Sequence, residues 1–104
     1  MIQPIRFFAE AAGEIEHERR WYRERSHQAE AAFLREIEQA FETVASAPHR
    51  WPEYLAGTRR YVLPTFPFSL LYFAEGDQVA IVALASESRK PGYWTKRLDP
   101  KRKQ

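Results

Sequence analysis

Cysteine is absent from the 104 residues of this chain. Disulfide staples, cysteine-based zinc sites and thiol catalysis are therefore excluded, and the composition suits a cytoplasmic setting. Glycine is scarce, at four residues. The chain has no phosphate loop, no G-x-S-x-G elbow, no H-E-x-x-H and no dinucleotide fingerprint, so neither a cofactor nor a metal ion is expected. No apolar run approaches the roughly 20 residues that span a bilayer. The first residues, with Glu10, Glu14 and Glu16 soon after a short apolar start, do not read as a signal peptide. These absences leave a soluble cytoplasmic protein with no membrane partner as the expectation.

What is present is ordinary globular material, 44% apolar and 29% charged, which argues against wholesale disorder. The length suits one domain, read as residues 1–98, followed by a basic tail at 99–104. The net charge of +2 is unevenly placed. Residues 1–50 carry seven Lys/Arg against nine Asp/Glu, and residues 51–104 carry nine against five. Such asymmetry points to an acidic partner for the C-terminal half, either nucleic acid or an acidic protein surface. For Lys101, Arg102 and Lys103 a merely solubilising tail is an equal reading.

The order of elements is legible from periodicity. Ile2 to Phe8 reads as an opening strand, kept to a sheet edge by Pro4. From Ala9 the pattern turns helical, with Phe8, Ala11, Ala12, Ile15 and Tyr22 on one face and Glu14, Glu18 and Arg25 facing water. Ser26 breaks this helix and caps the next. In the second helix Phe33, Ile37, Ala40, Phe41 and Val44 repeat at helical spacing until Pro48 stops them. So short a link makes the two helices an antiparallel hairpin. Residues 48–58 form an irregular connection, and three strands follow at about 59–64, 68–74 and 78–85. Glu75-Gly76-Asp77 is the tight turn between the last two. The fold class is therefore α+β: a two-layer β-α-α-β-β-β arrangement, with the hairpin on one face of a mainly antiparallel four-stranded sheet.

Both faces of the last strands are apolar. Phe68, Leu70 and Tyr72 alternate with Leu71 and Phe73, and Val79 and Ile81 oppose Val82 and Leu84. One helical hairpin covers one face of a sheet. Unless the tail folds back over it, the second face is left as a partner groove, and the groove is the expectation here.

Candidate chemistry is thin in the helical half. Glu14-x-x-His17 and Glu24-x-x-His27 match the pattern of carboxylate-bridged di-metal bundles. Ten residues of helix separate them by about 15 Å, whereas paired metals sit roughly 4 Å apart. They read as exposed helix residues. His17, His27 and His49 all lie far in sequence from the basic end.

The remaining set is cationic and aromatic: Arg59, Arg60, Arg89, Lys90, Tyr93, Trp94, Lys96 and Arg97. Arginine clamps phosphate through two donors, and a ring stacks on a base. A metal-free ribonuclease would use such groups to hold a phosphodiester. The same residue types also make protein hot spots. The plainest alternative is that Tyr93 and Trp94 cap the core while the cations stay solvated.

Several segments carry a resemblance. They are Trp21-Tyr22 at the end of the first helix, Ala32-Phe33-Leu34, Pro48-x-x-Trp51-Pro52, Arg59-Arg60-Tyr61-Val62-Leu63, Phe66-Pro67-Phe68-Ser69-Leu70-Leu71-Tyr72 and Arg89-Lys90-Pro91-Gly92-Tyr93-Trp94. Together, over about residues 4–98, the chain resembles the RelE/ParE superfamily of type II toxin–antitoxin toxins, in its ParE-like plasmid stabilisation branch. The resemblance implies the β-α-α-β-β-β fold and a growth-arresting toxin neutralised by a small antitoxin. RelE-type members cleave mRNA on the ribosome, whereas ParE-type members poison DNA gyrase. Arg89 and Tyr93 stand where RelE-like proteins place an arginine and a tyrosine, and would be the catalytic pair of a metal-independent endoribonuclease. Ser69 stands where a functional arginine is expected, and Ser86 where many relatives have histidine. The expectation is therefore a ParE-like gyrase inhibitor rather than an enzyme. An mRNA endonuclease and a non-toxic interaction module of the same fold remain the alternatives.

Overall fold

The computed structural model describes residues 2–99. The basic stretch Lys101 to Lys103 lies outside them. Strand β1 (Ile5–Phe7) is followed by helices α1 (Ala9–Arg25) and α2 (His27–Ser46), then strands β2 (Arg59–Val62), β3 (Phe68–Glu75) and β4 (Gln78–Ser86). Single 3-10 turns occupy Leu55–Gly57 and Thr95–Leu98. The sheet order is β1-β4-β3-β2, with β1 parallel to β4 and the other pairs antiparallel. This is the expected α+β class.

Local causes are mostly those read from the sequence. The Ser26 hydroxyl accepts the Ala29 N–H at 2.9 Å, capping α2. Phe33, Ile37, Ala40 and Val44 form the buried stripe of that helix. Gly76 takes φ +60, which lets Glu75 and Gln78 close the hairpin between β3 and β4. The opening strand is shorter than expected, three residues instead of seven, because it finds partners only at Val79, Ala80 and Ile81.

Two expectations need correction. Strict alternation on β4 separates Ile81 from Leu84. A bulge breaks that rule: Leu71 pairs with Ala83 but Tyr72 pairs with Ile81, leaving Val82 as the extra residue. Ile81 and Leu84 therefore share the side of Leu70 and Tyr72. The second correction concerns the bare face. Phe68 packs against Phe33 of α2, while Leu71 and Ala83 belong to the opposite side and are equally buried. The segment after β4 folds back over them, with Trp94 only 1% exposed and its ring 6.2 Å from that of Tyr54. The tail thus closes much of the surface that the sequence left open.

That return depends on one glycine. Gly92 has φ +81, and a Cβ there would stand 3.2 Å from the Leu55 side chain. A residue with a side chain would be strained at this φ and would press its Cβ on Leu55.

Candidate functional site

β4 is nine residues long, and β1 accompanies it only as far as Ile81. Beyond that point its outer backbone edge has no strand to pair with, and an unpaired buried peptide group is costly. Two side chains supply the missing partners. Glu14 of α1 accepts the Leu84 N–H at 3.1 Å, and the Arg97 Nη1 donates to the Val82 carbonyl at 3.0 Å. The two side chains also meet each other, with Arg97 Nη1 and Nη2 bonding the two Glu14 oxygens at 3.0 and 2.9 Å. This is a bidentate pair between side chains only 18% and 11% exposed.

Glu14 was read as a water-facing residue of α1, and the structure turns it inward. The signal available in the sequence was its spacing, three residues after the buried Ala11 and so near the apolar stripe.

Tyr93 completes this cluster. Its hydroxyl donates to Glu14 Oε2. Burial and then the Glu14 carboxylate hold the phenol well above the ordinary tyrosine range, so its proton stays on. Burial works against the Arg97 charge, but Glu14 outweighs it and the net shift is upward. Arg89 lies over the Tyr93 ring at 3.9 Å from its centroid. Together α1, β4 and the returning tail hold the ring on which Arg89 rests, at the mouth of a cavity on the second sheet face.

A second group approaches the same mouth from β2. The Arg60 side chain crosses toward β3, where Nε donates to the Ser69 hydroxyl at 3.1 Å, and its guanidinium lies 5.1 Å from the Tyr54 ring centroid. Arg60, Ser69, Ser86, Arg89 and Lys90 line one cavity of about 80 Å³. The position read as lacking an arginine, Ser69, is thus where a neighbouring strand brings one. Sequence reasoning named Arg60 but missed Tyr54 and Ser69 as its supports.

The other candidates divide plainly. Lys90 and Lys96 are exposed. Arg59 turns the other way from Arg60, donating to the carbonyls of His49 and Trp51 at 3.2 and 2.7 Å. Trp94 and Arg97 are buried in the fold. His17, distant in sequence from the basic end, lines a cleft with Glu14, Arg89 and Tyr93. Among the described residues no group of three or more His, Cys, Asp and Glu is placed to hold a metal ion. Nor is any described helix long and apolar enough to cross a membrane.

Residues 5–91 match the family model described as the ParE toxin of the type II toxin–antitoxin system parDE. The chain belongs to the ParE toxin family. A comparison with curated proteins finds no match by sequence. Among solved structures the fold is similar to a chain of the chromosomal ParDE TA system from P. aeruginosa, with a TM-score of 0.70 and 17% identity, covering 82% of this chain and 96% of that one. At that identity the likeness speaks for the fold alone. Within this ParE-family chain, Glu14, Arg60, Ser69, Arg89 and Lys90 fall inside the matched range, whereas Tyr93, Trp94 and Arg97 lie just past its end.

Proposed function

We propose that this chain is the toxin of a two-protein module, that it arrests growth by inhibiting DNA gyrase, and that a small cognate antitoxin neutralises it. The observation that carries this reading is membership of the ParE toxin family over residues 5–91. The site chemistry supports binding over catalysis. A tyrosine serving as acid, base or phosphate ligand needs a free hydroxyl, and the Tyr93 hydroxyl is committed to Glu14. The exposed cations Arg89, Lys90 and Lys96 and the half-buried Arg60 are the proposed target contacts.

A second reading, a ribosome-dependent mRNA endonuclease, draws on one specific observation. Arg60 and Arg89 converge on one cavity, which Tyr93 also lines. One experiment separates the two. Expression of the chain without an antitoxin is expected to arrest growth with a DNA-damage response while transcripts keep their original 5′ ends. Rapid transcript cleavage without DNA damage would transfer the assignment to the second reading, and unaffected growth would leave only an interaction module.

A further inference from the structure

Two consecutive turns carry the chain from β4 into the tail. The Arg89 N–H donates to the Ser86 carbonyl at 3.1 Å, and the Tyr93 N–H to that of Lys90 at 3.2 Å. These turns set the backbone of Arg89 but not its side chain, which is long, exposed and rich in rotamers. Among the described residues its guanidinium makes no hydrogen bond or ion pair. Its direction comes from the face of the Tyr93 ring, 3.9 Å from the centroid.

That ring is itself held. The Arg97 guanidinium stands 5.2 Å from its centroid, and the Tyr93 hydroxyl donates to Glu14, 79 positions away on α1. Stability alone does not call for charge here, since a buried ion pair is often matched by apolar side chains of similar volume. Two apolar side chains could not hold a phenol hydroxyl and so fix the tilt of its ring. The Glu14 carboxylate does both tasks. One oxygen serves the Leu84 N–H and Arg97, and the other serves Arg97 and Tyr93. The ring and the strand end that leads into Arg89 are thus tied to one carboxylate.

We propose that Glu14 is a positioning residue for Arg89, acting through the Tyr93 ring, so that the cation is set toward the toxin's target before the two meet. The inference rests on the reading of Arg89 as a target contact. A side chain already ordered has less freedom to lose on binding, so pre-placement strengthens a complex without adding a contact to it. Glu14 itself does not need to touch the target.

The test follows the full chain by NMR, with the Arg89 Nε–H order parameter and the ring-current displacement of its Hδ signals as readouts. Wild type is expected to show an ordered, displaced Arg89. Tyr93→Phe keeps a ring but removes its tie, and Glu14→Gln weakens the tie at its other end. Both should lower the order parameter and move the Hδ signals toward those of a free arginine. Ser26→Ala, which loosens the fold at the α2 cap, should leave them unchanged. In titrations against purified gyrase, Tyr93→Phe should weaken binding about two- to tenfold, the range set by ordering one side chain. It should cost nothing further in an Arg89→Ala background. A disordered Arg89 in wild type would overturn the proposal, as would Arg89 signals that do not change in the two variants while circular dichroism shows them folded. So would unaltered gyrase binding by Tyr93→Phe, or a loss that persists in full once Arg89 is gone. If wild type does not bind gyrase, the target reading fails, and the NMR comparison alone decides whether Glu14 places Arg89.

Discussion

Replacing Glu14 with alanine strikes the point where helix, sheet edge and tail are tied together. The carboxylate receives four donors: the Leu84 N–H, two Arg97 nitrogens and the Tyr93 hydroxyl. The largest consequence is the stranded Arg97 charge, since breaking a buried pair by removing one partner costs about 3–5 kcal/mol. Tyr93 and Leu84 recover part of their loss from water, because the Glu14 side chain is 18% exposed. The expected cost therefore stays near that range, a large share of a typical total of about 5–15 kcal/mol. Glu14→Gln keeps an acceptor for Leu84 but removes the charge, and should cost about 1.5–3 kcal/mol.

Urea unfolding followed by circular dichroism reads both values as midpoint shifts at unchanged slope. In a thermal scan Glu14→Ala should lower Tm by on the order of 12 °C or more. Arg97→Met combined with Glu14→Ala removes both charges, so the double variant should lose less than the sum of the singles by about 0.5–3 kcal/mol. A Glu14→Ala protein within about 0.5 kcal/mol of wild type, or a strictly additive double variant, would refute the latch.

Three further outcomes follow from the same structure. Trp94→Ala empties the buried cap of the second sheet face and should cost about 3–5 kcal/mol by urea unfolding. Tyr72 donates to the Pro48 carbonyl at 2.7 Å, and burial pushes its phenol up to about 12. A raised folded value means that its stabilisation is intact below the unfolded tyrosine value of about 10 and is lost as pH climbs from there toward about 12. Stability measured across that window should fall, less steeply in Tyr72→Phe; an identical slope in the variant would contradict the assignment. Ser26→Ala removes the α2 cap and should cost about 0.5–2 kcal/mol, read from the same unfolding curves.

How much of this was legible beforehand depends on how far apart the causes lie in the chain. The Phe33 to Val44 stripe, the Ser26 cap and the Gly76 turn are local, each determined by residues within a few positions, and all stand where periodicity places them. Glu14 was misjudged because its role is set by the Leu84 N–H, 70 residues away, and by β1 ending before β4 does. Amphipathic reading assigns a helix acid to water unless it knows which backbone groups lack partners. The covered sheet face was missed for a related reason: the return of Trp94 depends on the Gly92 turn and on Tyr54 from a separate loop.

Of the candidate site, the residue types were legible and the sorting was not. Arg59 and Arg60 are adjacent in sequence, yet strand alternation sends them to opposite faces, one to the His49 and Trp51 carbonyls and the other across Ser69. Arg60 reaches Ser69 diagonally across the β2–β3 pair, a contact that the sequence alone does not display.

If this ParE-family chain acts as proposed, by binding gyrase and not by cleaving RNA, gyrase activity itself must respond to it. The most direct measurement is a DNA supercoiling assay with purified gyrase, relaxed plasmid and increasing amounts of the purified chain. A dose-dependent loss of supercoiling is expected, reversed when the cognate antitoxin is added. Unchanged supercoiling at saturating protein, together with cleavage of mRNA on ribosomes by the same preparation, would contradict it.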